Sequence, residues 1–503
     1  MHMRFQFTAL FVFSTALGWG ASADLRLIQA VKGQDEAAVR VLLKQHVDVN
    51  AQQGDGTTAL HWATQYDNAG LADLLLRAGA RVDTANDLGA TALHIACGNG
   101  SPAMVDRLLA AHANANAKLL NGEAVLMTCA RTGNAAALKA LLTHGADAKV
   151  AEPEHNQTAL MWAVAQSHPE AAALLVEFGA DIKARSKSYS QTVVGEQTQR
   201  AGREELNYNV MRGGSTPLLF AARSGDAESA KLLLSKGADA NDALPDGTSA
   251  LTLAAHSGQR DVALALLDKG ANPNDLGIGY TALHAAILRS DLALVKALLA
   301  RGADPNLRMT KATSVRRNST DYFLLAPVVG STPYLLAAKF VESEIMQALL
   351  AGGADPKFTM PNGATAVMLA AGVDTRNNGD RRGINVIDYG KPEPESKVLP
   401  AVEVAFKAAG DANAVDREGD TALHAAVTHH YESVVEFLAS HGADVNTRNQ
   451  ANLTPLETVT RRKGSERRPV SGATAAAAYA SAAAEDPAAD RIAGILRKHG
   501  AMD

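Results

Sequence analysis

Cysteine is almost missing from this chain: two residues among 503, at positions 97 and 129. That excludes a scaffold built on disulfides, which needs many cross-links to replace a small core. Aromatic residues are also scarce, at 5%, so a core must be filled by alanine, leucine and other aliphatic side chains. Neither sign of charge dominates, because 48 Lys and Arg face 53 Asp and Glu for a net −5. A protein that coats nucleic acid would carry a clear basic excess, so no nucleic-acid partner is expected. Hydrophobic residues at 47% and charged residues at 20% fit a folded chain rather than a disordered one. Catalytic signatures are missing as well: there is no HExxH, GxSxG, Walker glycine loop or CxxC. No enzyme activity, cofactor or metal site is expected.

One apolar stretch resembles a targeting segment. Phe5 to Trp19 follows Arg4, and Gln6, Thr8, Ser14 and Thr15 dilute it below what a membrane anchor needs. Ala21-Ser22-Ala23 then offers the small-x-small pattern that signal peptidase accepts. Residues 1–23 are therefore expected to be a secretory signal, cleaved after Ala23, that sends the chain to the periplasm or out of the cell. No second apolar run of spanning length follows, so no membrane span is expected after cleavage.

The rest of the chain repeats. Thr58-Ala59-Leu60-His61 returns as Thr91 to His94, Thr281 to His284 and Thr421 to His424, and Thr158-Ala159-Leu160-Met161 is a close copy. With looser copies, the starts fall at 25, 58, 91, 124, 158, 216, 249, 281, 332, 365, 421 and 454. Most spacings lie within one residue of 33, the signature of a stacked repeat. A second marker closes each repeat, as in Leu75-Leu76-Arg77-Ala78-Gly79-Ala80 and Leu298-Leu299-Ala300-Arg301-Gly302-Ala303-Asp304. The TPLH-type opening and LLxxGAD close, in fixed register over essentially all of residues 24–503, resemble the ankyrin repeat. The resemblance implies an all-α ankyrin-repeat solenoid of about twelve helix-turn-helix repeats with β-hairpin-like fingers. A single array over 24–503 is expected.

The residue types suit that architecture. The threonines can cap a helix by accepting from an orphan N–H. Alanine pairs such as Ala285-Ala286 let helices approach closely. Gly79, Gly145, Gly237, Gly302 and Gly442 sit where a second helix must stop, a place that favours a left-handed residue without Cβ. The polar run before each threonine would form a finger. Histidines 61, 94, 284 and 424 recur one repeat apart, near ~10 Å, too far to share one metal at ~2 Å bonds. In ankyrin repeats this histidine bonds the loop backbone, and that role is implied here. Cys97 and Cys129 lie at small, buried positions of neighbouring repeats. Repeat spacing near ~10 Å exceeds the reach of a disulfide, so two buried free thiols are expected.

Four insertions interrupt the period, at about 183–214, 307–330, 373–400 and 461–490. The first two lengthen fingers, and the last two fall between the helices of their repeats. Both long fingers end in Gly-Ser-Thr-Pro, at 214–217 and 330–333, and in this they look like exported bacterial ankyrin proteins. The resemblance implies a non-catalytic scaffold or adaptor that binds another protein through its fingers and the concave face of its first helices, as a monomer. Candidate contact residues are the finger apolars Leu88, Leu119, Leu120, Leu244, Leu276 and Ile278, with Tyr189, Tyr208, Tyr322 and Phe323 of the long fingers. One alternative is binding of envelope polymer or anionic lipid by the basic loop 461–468. A second is a secreted effector that binds a host protein.

Overall fold

The computed structural model of the chain describes residues 24–194, 207–313, 322, 324, 328–373, 393–465 and 487–502; the expected signal segment 1–23 lies outside them. Among the described residues the chain forms twelve helix pairs and one two-stranded sheet. It divides into two compact units, up to Asp147 and from Ala148. The first holds four pairs, from Arg26–Lys32 with Glu36–Lys44 to Val125–Thr132 with Ala135–Thr143. The second holds eight, from Ala159–Ala165 with Pro169–Glu177 to Pro455–Ser465 with Pro487–Lys498.

Most first helices begin where the sequence motif supplies a cap, whereas Leu25 and Ala124, before the first and fourth of them, offer none. Thr58, Thr158, Thr216, Thr281, Thr332, Thr365 and Thr421 accept from the backbone N–H three residues on. Second helices are capped by Asp35, Asn68, Ser101, Asn134, Asp226 and Asp291. The stop glycines Gly79, Gly145, Gly237, Gly302 and Gly442 have φ between 82° and 91°, where any other L residue is strained. Within each unit first helices pack on first helices through wholly buried small residues such as Ala63, Ala96 and Ala130 in the N-terminal unit and Ala222, Ala254 and Ala286 in the other.

A hydrogen-bond clasp, unread in the sequence, joins neighbouring repeats. The Asn50 side chain donates to the Gly79 carbonyl at 3.2 Å and accepts from the Arg81 N–H at 2.7 Å. Asn116 does the same to Gly145 and Asp147, and Asn274 to Gly302 and Asp304. Each clasp satisfies backbone groups left over where a second helix ends. It holds across insertions: Asn306 reaches Gly353 and Asp355, and Asn446 reaches Gly500 and Met502. The repeats on either side of the second and fourth insertions therefore keep their ordinary register. The recurring Gly-Ala-Asp-x-Asn of 302–306 and 442–446 was the available signal.

Two insertion ends differ from the sequence expectation. The helix after the third insertion begins at Glu395, so 395–400 belong to the repeat and Pro400 sits inside a helix. A proline there forfeits one backbone bond, but Val398, Ala401, Val402 and Ala405 bury a full face. In the last repeat the helices run to Ser465 and from Pro487, which shortens the interval expected at 461–490.

The cysteines correct a second expectation. Cys97 and Cys129 are not free thiols but a disulfide, with Cα atoms 4.6 Å apart. The ~10 Å argument holds for equivalent positions. These two are not equivalent: Cys97 lies six residues after Thr91, and Cys129 lies five after Ala124. They occupy the facing sides of the packed helices Ala92–Asn99 and Val125–Thr132. Ala96 and Ala130, both wholly buried, let those backbones come close.

Three of the motif histidines, His61, His284 and His424, tie a finger to a helix. The Thr58 N–H donates to His61 Nδ1 at 3.2 Å, so Nε2 carries the proton and donates to the Ala90 carbonyl of the next repeat at 2.9 Å. His424 repeats this with Thr421 and Leu453, and His284 with Thr281 and Ser331, across the second insertion. A protonated Nδ1 would confront the threonine donor, so the geometry requires neutral imidazole. Burial lowers His61 below its ordinary 6.5 and takes His94 and His284 down to about 4. The Ala90, Glu123 and Ser331 carbonyls pull the other way, too weakly to offset it.

Two outcomes follow. Reduction, or Cys97→Ala with Cys129→Ala, lowers the unfolding free energy of the N-terminal unit by about 3–4 kcal/mol for a loop of this length. Urea unfolding with and without reductant reads it, and coincident curves would count against the cross-link. Both cysteines are wholly buried, so native protein should resist thiol labelling until it opens. For His94 and His284 the folded pKa is below the unfolded one, so stability is full above pH 6.5 and is lost as pH falls towards 4. Between pH 7 and pH 5, His94 and His284 each withdraw about 2 kcal/mol. Urea midpoints at the two pH values measure the loss, and His284→Gln should flatten the dependence.

Candidate interaction surface

The finger tips form a ladder. In the N-terminal unit the Asp87 N–H donates to the Asp55 carbonyl at 2.9 Å, and the Leu120 N–H donates to the Leu88 carbonyl at 3.0 Å. In the second unit Lys187 bonds His155, Thr310 bonds Gly279, Arg417 bonds Asn362 and Gln450 bonds Glu418 in the same way. In several tips an Asn or Asp side-chain oxygen holds the turn: Asn86 Oδ1 accepts from Leu88 and Ala90, and Asp416 Oδ1 from Glu418 and Asp420. A tip bonded to itself and to its neighbour presents its side chains from a fixed base, so docking freezes little additional motion.

The finger apolars divide in two. Leu88 is 69% exposed and Leu120 is 79% exposed, and their backbones are joined directly. Leu119, Leu244, Leu276 and Ile278 are half-buried. The pair at 88 and 120 is therefore the apolar tip of the N-terminal unit. Asp87, Lys118 and Asn121 flank it along the chain, and the Asp55 carbonyl is bonded to the Asp87 N–H.

The first long finger is a β-hairpin. Strands β1 (Tyr189–Val194) and β2 (Asn207–Arg212) pair antiparallel, with Tyr189 opposite Arg212 and Val193 opposite Tyr208. Tyr189 is 45% exposed and lies edge-on to His155, with ring centres 6.4 Å apart; Met211 is 43% exposed. In the second long finger Tyr322 is half-buried and Leu324 wholly buried, while Phe323 lies outside the described residues.

One arginine closes the base of each long finger. Arg185 Nη1 donates to the Gly214 carbonyl at 2.8 Å and to Ala243 of the next finger at 3.2 Å, and Nη2 pairs with Asp242. Arg308 Nη1 donates to Gly330 at 2.6 Å and to Thr359 at 2.9 Å, with its cation 4.9 Å from the Phe358 ring centre. Gly214 and Gly330 match too: a Cβ on either would lie 2.5 Å from Pro245 or Pro361. Each excursion thus leaves and rejoins the repeat at one pinned point. The sequence signal was an arginine five residues past the Gly-Ala alanine, answered by Gly-Ser-Thr-Pro.

A further set went unread. At the fifth residue of the motif, Trp62 and Ile95 in the N-terminal unit, and Trp162 and Phe220 in the other, are half-buried. Trp62 Nε1 donates to Gln53 at 2.8 Å, its ring stacks on Tyr66 at 5.9 Å, and the Lys32 ammonium lies 4.2 Å over it. Trp162 Nε1 likewise donates to Gln157 at 2.9 Å. At the same position Leu253, Ala285, Leu336 and Leu369 are buried. The signal was a large residue directly after Thr-Ala-Leu-His or Thr-Ala-Leu-Met.

Among the described residues no group of three or more His, Cys, Asp or Glu side chains is disposed to hold a metal ion. None of their helices is long and apolar enough to cross a membrane. The basic side chains at 461–468 lie outside the described ones. A family profile for "Ankyrin repeats (3 copies)" matches residues 27–119, 97–186, 199–276, 218–309 and 396–458. Among solved structures the chain is similar to the human ASB11 ankyrin repeat domain: 26% identity, 49% of this chain and 98% of that one, TM-score 0.40. With the capped helix pairs, stop glycines and bonded fingers in place, and the profile matched over more than half its length, the chain belongs to the ankyrin-repeat family, whose arrays serve as protein-binding scaffolds.

Proposed function

We propose that this protein is an exported, non-catalytic adaptor that holds another protein against its fingers and the open side of its first helices. The observation that carries the reading is the Leu88–Leu120 pair, two exposed apolar side chains on backbones already bonded to each other. Such a pair, rimmed by polar residues, gains by losing water and is held in place before the partner arrives. Trp62 with Tyr66 in the same unit, and Tyr189 with Met211 on the long finger, supply further apolar area. Export is supported by the signal pattern of residues 1–23 and by the Cys97–Cys129 bond, since disulfides persist mainly in oxidising compartments. The reading takes all of 24–503 as one array acting as a monomer, with no cofactor.

The test is a crosslinking pull-down from the envelope and medium of the producing cell, using the full chain. The bait recovered from those fractions should itself begin at Asp24. Leu88→Asp with Leu120→Asp should cut recovery of a specific partner at least tenfold, with an unchanged thermal melt. Equal recovery by the variant would overturn the role of these tips. Retention on anionic vesicles that falls with salt, with no protein captured, would instead favour the basic loop 461–468. A partner found only in host extract would favour an effector.

A further inference from the structure

The second long finger does more than project. Its residues 309–311 start at the neighbouring finger, where the Thr310 N–H donates to Gly279 at 2.7 Å. Tyr322 lies against residues near the C-terminal ends of two first helices, Ala250–Ser257 and Ala282–Leu288. His256 Nε2 donates to the Tyr322 carbonyl at 3.0 Å, and the Arg289 guanidinium lies 4.2 Å over the Tyr322 ring centre. The pair beneath is itself organised. Arg289 Nε donates to the His256 carbonyl at 2.6 Å, and Tyr280, almost wholly buried, places its hydroxyl 3.4 Å from His256 Nδ1. Burial raises the Tyr280 phenol, which stays protonated and can donate to that nitrogen. His256 is thereby fixed with Nε2 as the donor outward. Two residues on, Leu324 is wholly buried, and both its backbone groups are bonded to Thr313.

The His256 and Arg289 contacts read one main-chain carbonyl and one aromatic face. They do so with groups that repeats 7 and 8 supply in advance. A cation stacked on an aromatic ring and a carbonyl taken by a fixed donor are the terms by which an extended peptide is recognised. We propose that His256, Tyr280 and Arg289 form a docking site for an extended peptide segment bearing an aromatic residue, and that Tyr322 occupies it in cis. A partner segment of that chemistry would bind by replacing Tyr322. The tether gives Tyr322 a high effective concentration, so only a segment presented at comparable concentration or with further contacts competes. This site rests on the scaffold reading, yet it is independent of Leu88 and Leu120, which belong to the other unit.

The probe is a fluorescent synthetic peptide with the chain's own sequence from Asn318 to Ala326, titrated by anisotropy into the full-length protein. Tyr322→Ala should bind it at least tenfold more tightly than the unaltered chain, because the site is vacated. Adding Arg289→Ala should abolish the gain, whereas Tyr322→Phe should leave the site closed. No gain for a Tyr322→Ala protein that melts like the unaltered chain would overturn the proposal, as would a gain indifferent to Arg289. If Tyr322→Ala melts early, the unaltered chain is used instead. A peptide with p-benzoylphenylalanine in place of the tyrosine, at millimolar concentration, should photolabel residues 250–290 and be displaced by unlabelled peptide; labelling elsewhere would overturn it. Failure here leaves the pull-down with Leu88 and Leu120 as a separate test of the scaffold reading.

Discussion

Each repeat of this protein can bury only one side of itself, and everything else follows from that constraint. A pair of helices as short as Ala59–Gln65 and Ala69–Arg77 has too little apolar area to offset the entropy of ordering it. Stability comes when Leu71, Ala72 and Leu75 of one repeat and Val105, Leu108 and Leu109 of the next lose water together. The motif residues serve that stacking. Threonine starts a helix at a defined place, histidine donates a hydrogen bond to the next finger's carbonyl, and glycine ends the pair so that an asparagine of the previous repeat can clasp it.

Stacking also determines where variation is tolerated. The second insertion lies between Asn306 and Gly353, which are bonded at 3.0 Å, and between His284 and Ser331, whose atoms are 3.5 Å apart. These two inter-repeat bonds span the intervening sequence and keep the repeats on either side in register. Arg185 and Arg308 make each departure local by pinning the chain where it leaves and where it returns. Binding residues can then differ along fingers and insertions while the frame stays the same, which is how a scaffold acquires a particular partner.

The two surfaces differ in kind. The Leu88–Leu120 tip is open and apolar, and on the function proposed above a partner would gain there by releasing water. The Tyr322 site is polar and already filled, and its worth lies in how specifically it reads a carbonyl and a ring. A scaffold with one of each can hold one segment firmly and exchange another. The neutral histidines and the buried disulfide bear on the frame beneath, not on either surface.

The repeat, its helices, its caps and its fingers were legible in the sequence, because they are set by interactions within a few residues or by a motif that recurs at a constant spacing. Thr58 and His61 are three residues apart, and their bond needs nothing more distant to exist. The third insertion was misjudged at Pro400, since helix propensity was outweighed there by burial of Val398 and Val402, a tertiary effect. The disulfide was misjudged for a related reason: repeat spacing fixes the distance between equivalent residues, but only the packed helices show which non-equivalent residues face each other. Trp62 and Trp162 are not legible from the repeat, because a motif shows what recurs and these side chains are where the repeats differ. The sequence by itself determined the unit and its period, which local hydrogen bonds and helix-length apolar patterning dictate. Tertiary structure alone decided that Cys97 meets Cys129, that Leu120 stands out while Leu244 does not, and that Tyr322 lies on Arg289. Those are distances between residues remote in sequence, and no spacing along the chain encodes them.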